Sequence, residues 1–169
     1  RYCLEKGYER PLIITDQGII TLGLLESTLD SLHEHSIPYR IFDQVAPDPT
    51  HGMIFAACKE GISFGADCII AVGGGSVMDC AKVASIGIRN PHMPKRVLTT
   101  MQLGGWPKAL PLITIPTTAG TGAEVTLGAV ITDEKTQRKH FAGGPKAKPV
   151  CCILDAKLTV DCPRELTAI

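Results

Sequence analysis

Short apolar runs alternate along the chain with segments whose hydrophobic residues recur at helical spacing. Between the runs, residues 21–35, 53–60 and 76–88 carry apolar side chains every three or four positions. Continuous apolar runs are typical of parallel strands that are buried on both faces, and the intervening spacing is typical of helices packed on a core. We therefore predict an α/β fold with a doubly wound, mostly parallel sheet. The apolar runs fall at residues 11–16, 38–43, 67–72, 112–116, 128–132 and 150–155.

Two stretches depart from this alternation. Residues 89–110 contain three prolines, two adjacent glycines and four basic residues, so we predict a surface excursion that Trp106 packs down. Residues 161–169 begin with an Asp and a Pro that are typical of the first turn of a helix. We expect an α/β domain over residues 1–160, followed by the start of a helix that leads into a helical domain absent from this chain.

Composition and charge exclude several classes of function. Lys plus Arg and Asp plus Glu each total 17, and no basic stripe is available for a nucleic-acid backbone. No apolar run approaches the roughly 20 residues that a membrane span needs. The seven cysteines lack a Cys-x-x-Cys motif and fit neither a disulfide framework nor a thiolate zinc site. We expect a soluble, cytoplasmic protein that binds neither nucleic acid nor membrane.

A glycine triplet, Gly73–Gly75, stands between a predicted strand and a predicted helix and is followed by Ser76. Glycines let the backbone approach an anion closely, and the first turn of a helix offers free N–H groups and a positive dipole end. This pattern predicts a phosphate cradle, although Ser76 and Asp79 could also form a simple capping box. Met78 replaces the last glycine of the common dinucleotide fingerprint, and the chain has no Walker motif.

Two other predicted strands also end in polar residues. Thr117, Thr118 and Thr121 follow the strand at 112–116 in a glycine-containing loop, and Asp16 ends the first strand. Because ligands of open α/β sheets bind beyond the carboxyl ends of the strands, one nucleotide could span these residues. Asp16 could accept from both ribose hydroxyls and repel a 2′-phosphate, which favours NAD over NADP. Threonines also satisfy loop backbones, an aspartate also caps helices, and Asp43 is a competing acid.

The histidines show no metal-binding pattern. No two of them have the i, i+4 spacing that places two ligands on one face of a helix. We therefore expect them to face solvent or lie in loops. They are His33, His35, His51, His92 and His140.

The motifs described above resemble the amino-terminal part of the iron-containing alcohol dehydrogenases, whose dinucleotide-binding domain is Rossmann-like. The resemblance covers nearly the whole chain in the order of that family. Val77, Ala123 and Asp48 stand where the family usually has Pro, Ser and Asn. The segments that carry the resemblance are residues 14–16, 73–82, 116–126 and 154–159.

The resemblance implies that NAD lies across the edge of the sheet. Gly74, Gly75 and Ser76 would hold the pyrophosphate, Asp16 would hold the adenosine ribose, and Lys139 would reach the nicotinamide half. The other residues that would line the cofactor are Asp79, Thr117, Thr118, Thr121 and Thr126.

The resemblance also implies a reaction that this chain does not complete alone. In the family, one Asp and three His of a following helical domain bind Fe²⁺ or another divalent ion, which polarises the oxygen of a small alcohol or aldehyde during hydride transfer. We therefore assign no catalytic and no metal-binding residue here, expect the chain alone to be inactive, and expect a homodimeric longer parent. Alternatives are a sister enzyme of the glycerol dehydrogenase or dehydroquinate synthase type, or a nucleotide-binding module without chemistry.

Overall fold

A parallel sheet with helices on both faces forms the centre of the fold. The computed structural model describes residues 1–94, 108–160 and 162–163. The strands are β1 (Pro11–Ile14), β2 (Arg40–Phe42), β3 (Cys68–Gly73), β4 (Leu112–Pro116), β5 (Gly128–Thr132), β6 (Lys139–Gly143) and β7 (Cys151–Cys152). The α-helices are α1 (Tyr2–Lys6), α2 (Gln17–Thr21), α3 (Glu26–Glu34), α4 (His51–Phe64) and α5 (Gly75–Arg89), and 3₁₀ turns occupy Pro145–Ala147 and Ala156–Thr159.

The central sheet has the strand order β2-β1-β3-β4-β7, and all neighbouring strands in it are parallel. This confirms the predicted doubly wound, Rossmann-like α/β fold. The chain passes from β1 to β2 on one side and returns to β3 on the other, so the winding reverses between β1 and β3. Ligands of such sheets bind at this switch point. Asp16 follows β1 and Gly74 follows β3, so two predicted site residues flank the crevice.

Successive side chains of the strands point to opposite faces of the sheet and pack in two separate cores. Leu12 and Ile14 of β1 pack in the core that includes residues of α4 and α5, whereas Ile13 packs in the core that includes residues of α1 and α3. All three side chains are fully buried. Burial on both faces explains why the strands appear in the sequence as continuous apolar runs.

The predicted helix over residues 21–35 is wrong in its first half. The structure has a short helix, α2, then a turn in which Gly23 takes a φ of 69°, and only then α3. The Asp16 carboxylate caps α2 and so starts helical structure early, while the left-handed Gly23 ends it. Leu22, predicted to face the core, is 66% exposed, whereas Leu25 and Leu32 are buried as expected.

A β5–β6 hairpin forms a second, antiparallel sheet. The strand at 128–132 was predicted, but β6 was not, because its polar residues continue the charged run at 133–139. The hairpin packs on α5, so this helix is buried around most of its circumference. At the open end of the hairpin, opposite its turn, Gly143 has a φ of 103°, and a Cβ there would lie 2.7 Å from the Leu127 carbonyl oxygen.

The two ends of the predicted excursion at 89–110 lie together. Asn90 Nδ2 donates to the Lys108 carbonyl at 2.7 Å, and Leu110 is buried with only 8% exposure. The rest of the predicted excursion, residues 95–107 with Trp106, lies outside the described residues. Most of the predicted helix start at 161–169 lies outside them too. None of the described helices has the length and hydropathy that a membrane crossing requires.

Close packing of α4 on α5 depends on Gly61. A Cβ at this position would lie 2.4 Å from Ile88 Cδ1 and 3.2 Å from Leu12 Cδ2. We expect Gly61→Ala to lower the free energy of unfolding by about 1–3 kcal/mol, measured by urea denaturation. Ile88→Val removes the nearest clashing atom, Cδ1, and keeps Cγ1, which lies 2.9 Å from that Cβ. The double variant should therefore lose less than the sum of the single losses. Strictly additive losses would contradict this explanation.

Candidate functional site

The glycine loop after β3 leaves the start of α5 open. Gly73 has a φ of 154°, and a Cβ on it would lie 2.7 Å from Val77 Cγ2, so a larger residue does not fit. Gly74 is the N-cap of α5, and no side chain caps the helix there. The alternative capping box of Ser76 and Asp79 is therefore not formed. The first N–H groups and the positive dipole end of α5 remain available to an anion.

The threonine loop after β4 lies directly against the glycine loop. The Thr117 N–H donates to the Gly73 carbonyl at 3.0 Å. A Cβ on Gly74 would lie 3.3 Å from Thr118 Oγ1, and one on Gly75 would lie 3.3 Å from Thr121 Cγ2. Side chains at Gly74 and Gly75 would narrow the gap between the loops, so their absence leaves room at the helix N-terminus.

The end of β1 is joined to the end of β3. Thr15 Oγ1 donates to the Val72 carbonyl at 2.8 Å, which holds the following Asp16 at the same edge of the sheet. Asp16 Oδ1 accepts from the Ile19 N–H at 3.0 Å and so caps α2. The competing acid, Asp43, accepts from Gln17 Nε2. Asp16 therefore has a structural task as well as a position beside the crevice.

A buried ion pair connects α5 to β5. Asp79 Oδ2 accepts from the Val130 N–H at 2.8 Å, and Asp79 Oδ1 lies 3.3 Å from Lys82 Nζ. Lys82 Nζ also donates to Thr126 Oγ1 at 3.0 Å and to the Gly128 carbonyl at 2.7 Å. Asp79 and Thr126, both predicted to line the cofactor, thus belong to one network. Sequence analysis gave Lys82 no role; its only signal was the i, i+3 spacing from Asp79.

Burial governs the ionisation of this pair. Desolvation raises the pKa of the Asp79 carboxyl, and this effect outweighs the lowering caused by the hydrogen bond from Val130 and by the charge of Lys82. Desolvation also lowers the pKa of Lys82, against the charge of Asp79. The Lys82 side chain is fully buried, and that of Asp79 is 16% exposed. Each ion therefore depends on its partner, and the fully buried Lys82 has no water as a substitute.

Lys139 lies at the closed end of the β5–β6 hairpin, next to its turn and opposite Thr132. Its Nζ is 2.6 Å from Asp48 Oδ1, and both side chains are more than half exposed. The Thr132 N–H donates to the Pro49 carbonyl at 2.9 Å, which joins this end of the hairpin to the segment before α4. Asp48 therefore contacts the lysine that the resemblance assigns to the cofactor.

Two of the histidines were wrongly predicted to face solvent or lie in loops. His51 begins α4, His140 lies in β6, and both are half-buried. Their Nε2 atoms are 3.1 Å apart. The pKa of His51 is lowered mainly by desolvation and, to a smaller extent, by the electrostatic effect of the neighbouring His140. The contact joins residues 89 positions apart, so no local pattern could reveal it. His33, His35 and His92 are exposed, as expected.

The described residues do not supply the ligands of a catalytic iron. Within residues 1–94, 108–160 and 162–163, no group of three or more His, Cys, Asp or Glu side chains could hold a metal ion. A dinucleotide fits better, because the glycine loop offers an uncapped helix N-terminus and open space between two loops.

Comparisons with known proteins agree with this geometry. The family model for iron-containing alcohol dehydrogenases matches residues 1–156. Lactaldehyde reductase of Escherichia coli is 36% identical over 169 residues, which cover 97% of this chain and 43% of that protein. The chain therefore spans less than half the length of this relative.

Solved structures share the fold. The NADH-dependent butanol dehydrogenase A of Thermotoga maritima superposes with a TM-score of 0.88 at 28% identity, covering 98% of this chain and 41% of that one. The sulfoacetaldehyde reductase of Bifidobacterium kashiwanohense, solved with NAD⁺, has a TM-score of 0.87 at 25% identity, covering 98% and 43%. The family match, the switch-point crevice and the glycine loop together show that this chain belongs to the iron-containing alcohol dehydrogenase family.

Proposed function

We propose that this chain is the cofactor-binding part of an NAD-dependent alcohol dehydrogenase that acts on a small alcohol or the corresponding aldehyde. The observation that carries the proposal is the contact between the glycine and threonine loops beside the uncapped N-terminus of α5. When bound, NAD supplies the acceptor for a hydride from the alcohol. Support also comes from the solved relatives described as NADH-dependent or in complex with NAD⁺.

Each loop would contribute a separate part of the binding. The first N–H groups of α5, at Gly75 and Ser76, would hydrogen-bond the pyrophosphate and place its charge at the positive end of the helix dipole. Thr118 and Thr121 border the same space. Asp79 and Lys82 would not contact the pyrophosphate but would hold Thr126 and the start of β5 in place. Lys139, held by Asp48, would carry its charge to the far end of the cofactor.

The proposal is tested by titrating the purified 169-residue chain with NADH and following nicotinamide fluorescence and the melting temperature. We expect enhanced fluorescence and a rise in melting temperature, because a ligand that binds only the folded state stabilises it. NADPH should bind more weakly. If neither dinucleotide produced a response, the proposal would be rejected.

The Asp16 carboxylate should set the preference for NADH over NADPH. Replacing it with Ser keeps an oxygen that can cap α2 at the Ile19 N–H, but removes the charge that would repel a 2′-phosphate. We expect Asp16→Ser to keep its melting temperature and to lose about tenfold in discrimination, equivalent to about 1.4 kcal/mol. Unchanged relative affinities for NADH and NADPH would show that Asp16 serves only as a helix cap.

We further propose that a longer parent protein is a cytoplasmic homodimer that binds a divalent metal. The seven cysteines are all free, which is consistent with a reducing compartment. Apolar residues near β7 are exposed, among them Leu154 at 77% and Val160 at 74%, and such a patch is typical of a contact surface. Light scattering and metal analysis of the parent would test the dimer and the metal.

A further inference from the structure

His51 and His140 bring two imidazoles together on different elements of the fold. Their Nε2 atoms are 3.1 Å apart, and their rings meet edge to face with centroids 5.0 Å apart. At hydrogen-bond distance, one Nε2 carries a proton and the other accepts it. Two imidazole nitrogens bound to one Zn²⁺ at about 2.0–2.1 Å and a tetrahedral angle are roughly 3.3–3.4 Å apart. The observed spacing is therefore close to that of two ligands of one ion.

The backbone under the pair is held by several bonds. Thr50, the N-cap of α4, donates through Oγ1 to Glu134 Oε1 at 2.5 Å, and the Gly52 N–H donates to the same oxygen at 3.1 Å. Thr50 also forms a bridge with Thr132, the last residue of β5. His51 is thus fixed on α4 and His140 on β6 by contacts that do not involve the two rings, and this preorganises the pair for a ligand.

Two carboxylates that act on His51 favour a cation. The carboxylates of Asp133 and Glu134 act electrostatically on His51, and each is exposed or half-buried at the turn of the β5–β6 hairpin. Lys135 and Arg138 of the same turn carry the opposite charge, so the attraction of a divalent ion to His51 comes from these two nearby carboxylates and not from the net charge of the turn. Both imidazoles can offer an Nε2 lone pair if the donor ring moves its proton to Nδ1, so a neutral pair need not lose a proton.

We infer that His51 and His140 form a two-histidine site for a divalent transition metal such as Zn²⁺, with water completing the coordination. Imidazole nitrogen is a preferred ligand of Zn²⁺, Cu²⁺ and Ni²⁺. A metal bound there joins the start of α4 to the β5–β6 hairpin, which also carries Lys139. The inference is independent of the proposed dehydrogenase function, because it rests on the geometry of this pair alone.

Zn²⁺ is the probe for this site. Calorimetric titration of the 169-residue chain should show one ion bound, and the melting temperature should rise by about 5–10 °C when free Zn²⁺ is about 100 times its Kd. His51→Gln and His140→Gln should each weaken binding by at least the roughly 10–100-fold that loss of an outer-shell partner costs. The matched control, His92→Gln, removes an exposed imidazole elsewhere and should bind like the wild type.

If a variant does not fold, the site can still be tested by following the NMR signals of the histidine rings in the wild type during Zn²⁺ titration. Zn²⁺ should shift the signals of His51 and His140 at lower concentration than those of His33, His35 and His92. Equal binding by all variants would show that the metal binds elsewhere, for example at cysteine thiols, and would overturn the inference. No binding by the wild type up to about 1 mM Zn²⁺, a concentration at which even weak sites fill, would overturn it as well.

Discussion

Replacing Lys82 with Met should lower the free energy of unfolding by about 3–5 kcal/mol, the loss expected when one partner of a buried ion pair is removed. Methionine fills most of the space of the lysine but lacks Nζ, which has three oxygen partners: Asp79 Oδ1, Thr126 Oγ1 and the Gly128 carbonyl. The variant leaves the Asp79 carboxylate buried without its counter-charge. Urea denaturation monitored by circular dichroism would measure the loss.

Two controls separate this effect from a general loss of charge. Lys59→Met removes an exposed lysine of α4, and it should change stability by no more than about 0.5 kcal/mol. Asp79→Asn in the Lys82→Met background removes the unpaired charge, so the double variant should recover part of the loss. If Lys82→Met were as mild as Lys59→Met, the buried pair would not hold α5 to β5.

The elements that sequence analysis predicted correctly are those encoded by local patterns. The inner strands β1, β3 and β4 are buried at every position, so they consist almost entirely of apolar residues, with Thr114 as the polar exception. The glycine loop was recognisable from three adjacent glycines after an apolar run, and one of them meets a local requirement: Gly73 has a φ of 154° and no room for a Cβ beside Val77. Local requirements of this kind leave a signature in adjacent residues.

The features that sequence analysis missed depend on contacts between distant residues. The leucine spacing continues through Gly23, so the pattern could not reveal that this glycine ends α2. The strand β6 is polar and gains its partner only from β5. Lys82 lies on a helix that is buried by the sheet and by the β5–β6 hairpin, so a residue typical of a solvated face is fully buried. A helix packed on a sheet is expected to have one solvent-facing side. The sequence pattern could not show that the β5–β6 hairpin covers this side of α5.

Replacing Gly75 with Asp should weaken NADH binding by at least about 100-fold, equivalent to about 2.7 kcal/mol, while leaving the fold intact. Gly75 is the first residue of α5, where an acidic side chain stabilises a helix by about 0.3–1 kcal/mol. Among the residues that the structure describes, the close neighbour of a Cβ there is Thr121, at 3.3 Å. The same charge that favours the helix would stand where the proposed function places the pyrophosphate, so stability and binding should change in opposite directions.

Gly75→Asn separates charge from size, since its side chain has nearly the same shape as that of Asp without the negative charge. We expect Asn to weaken NADH binding by about tenfold or less, with a melting temperature close to that of the wild type, whereas that of Gly75→Asp should be slightly higher. Equal weakening by Asn and Asp would indicate crowding against Thr121 rather than repulsion between charges. Wild-type affinity in Gly75→Asp would mean that the cofactor phosphates do not lie at the N-terminus of α5, because a carboxylate cannot share an uncapped helix end with a diphosphate without a large electrostatic penalty.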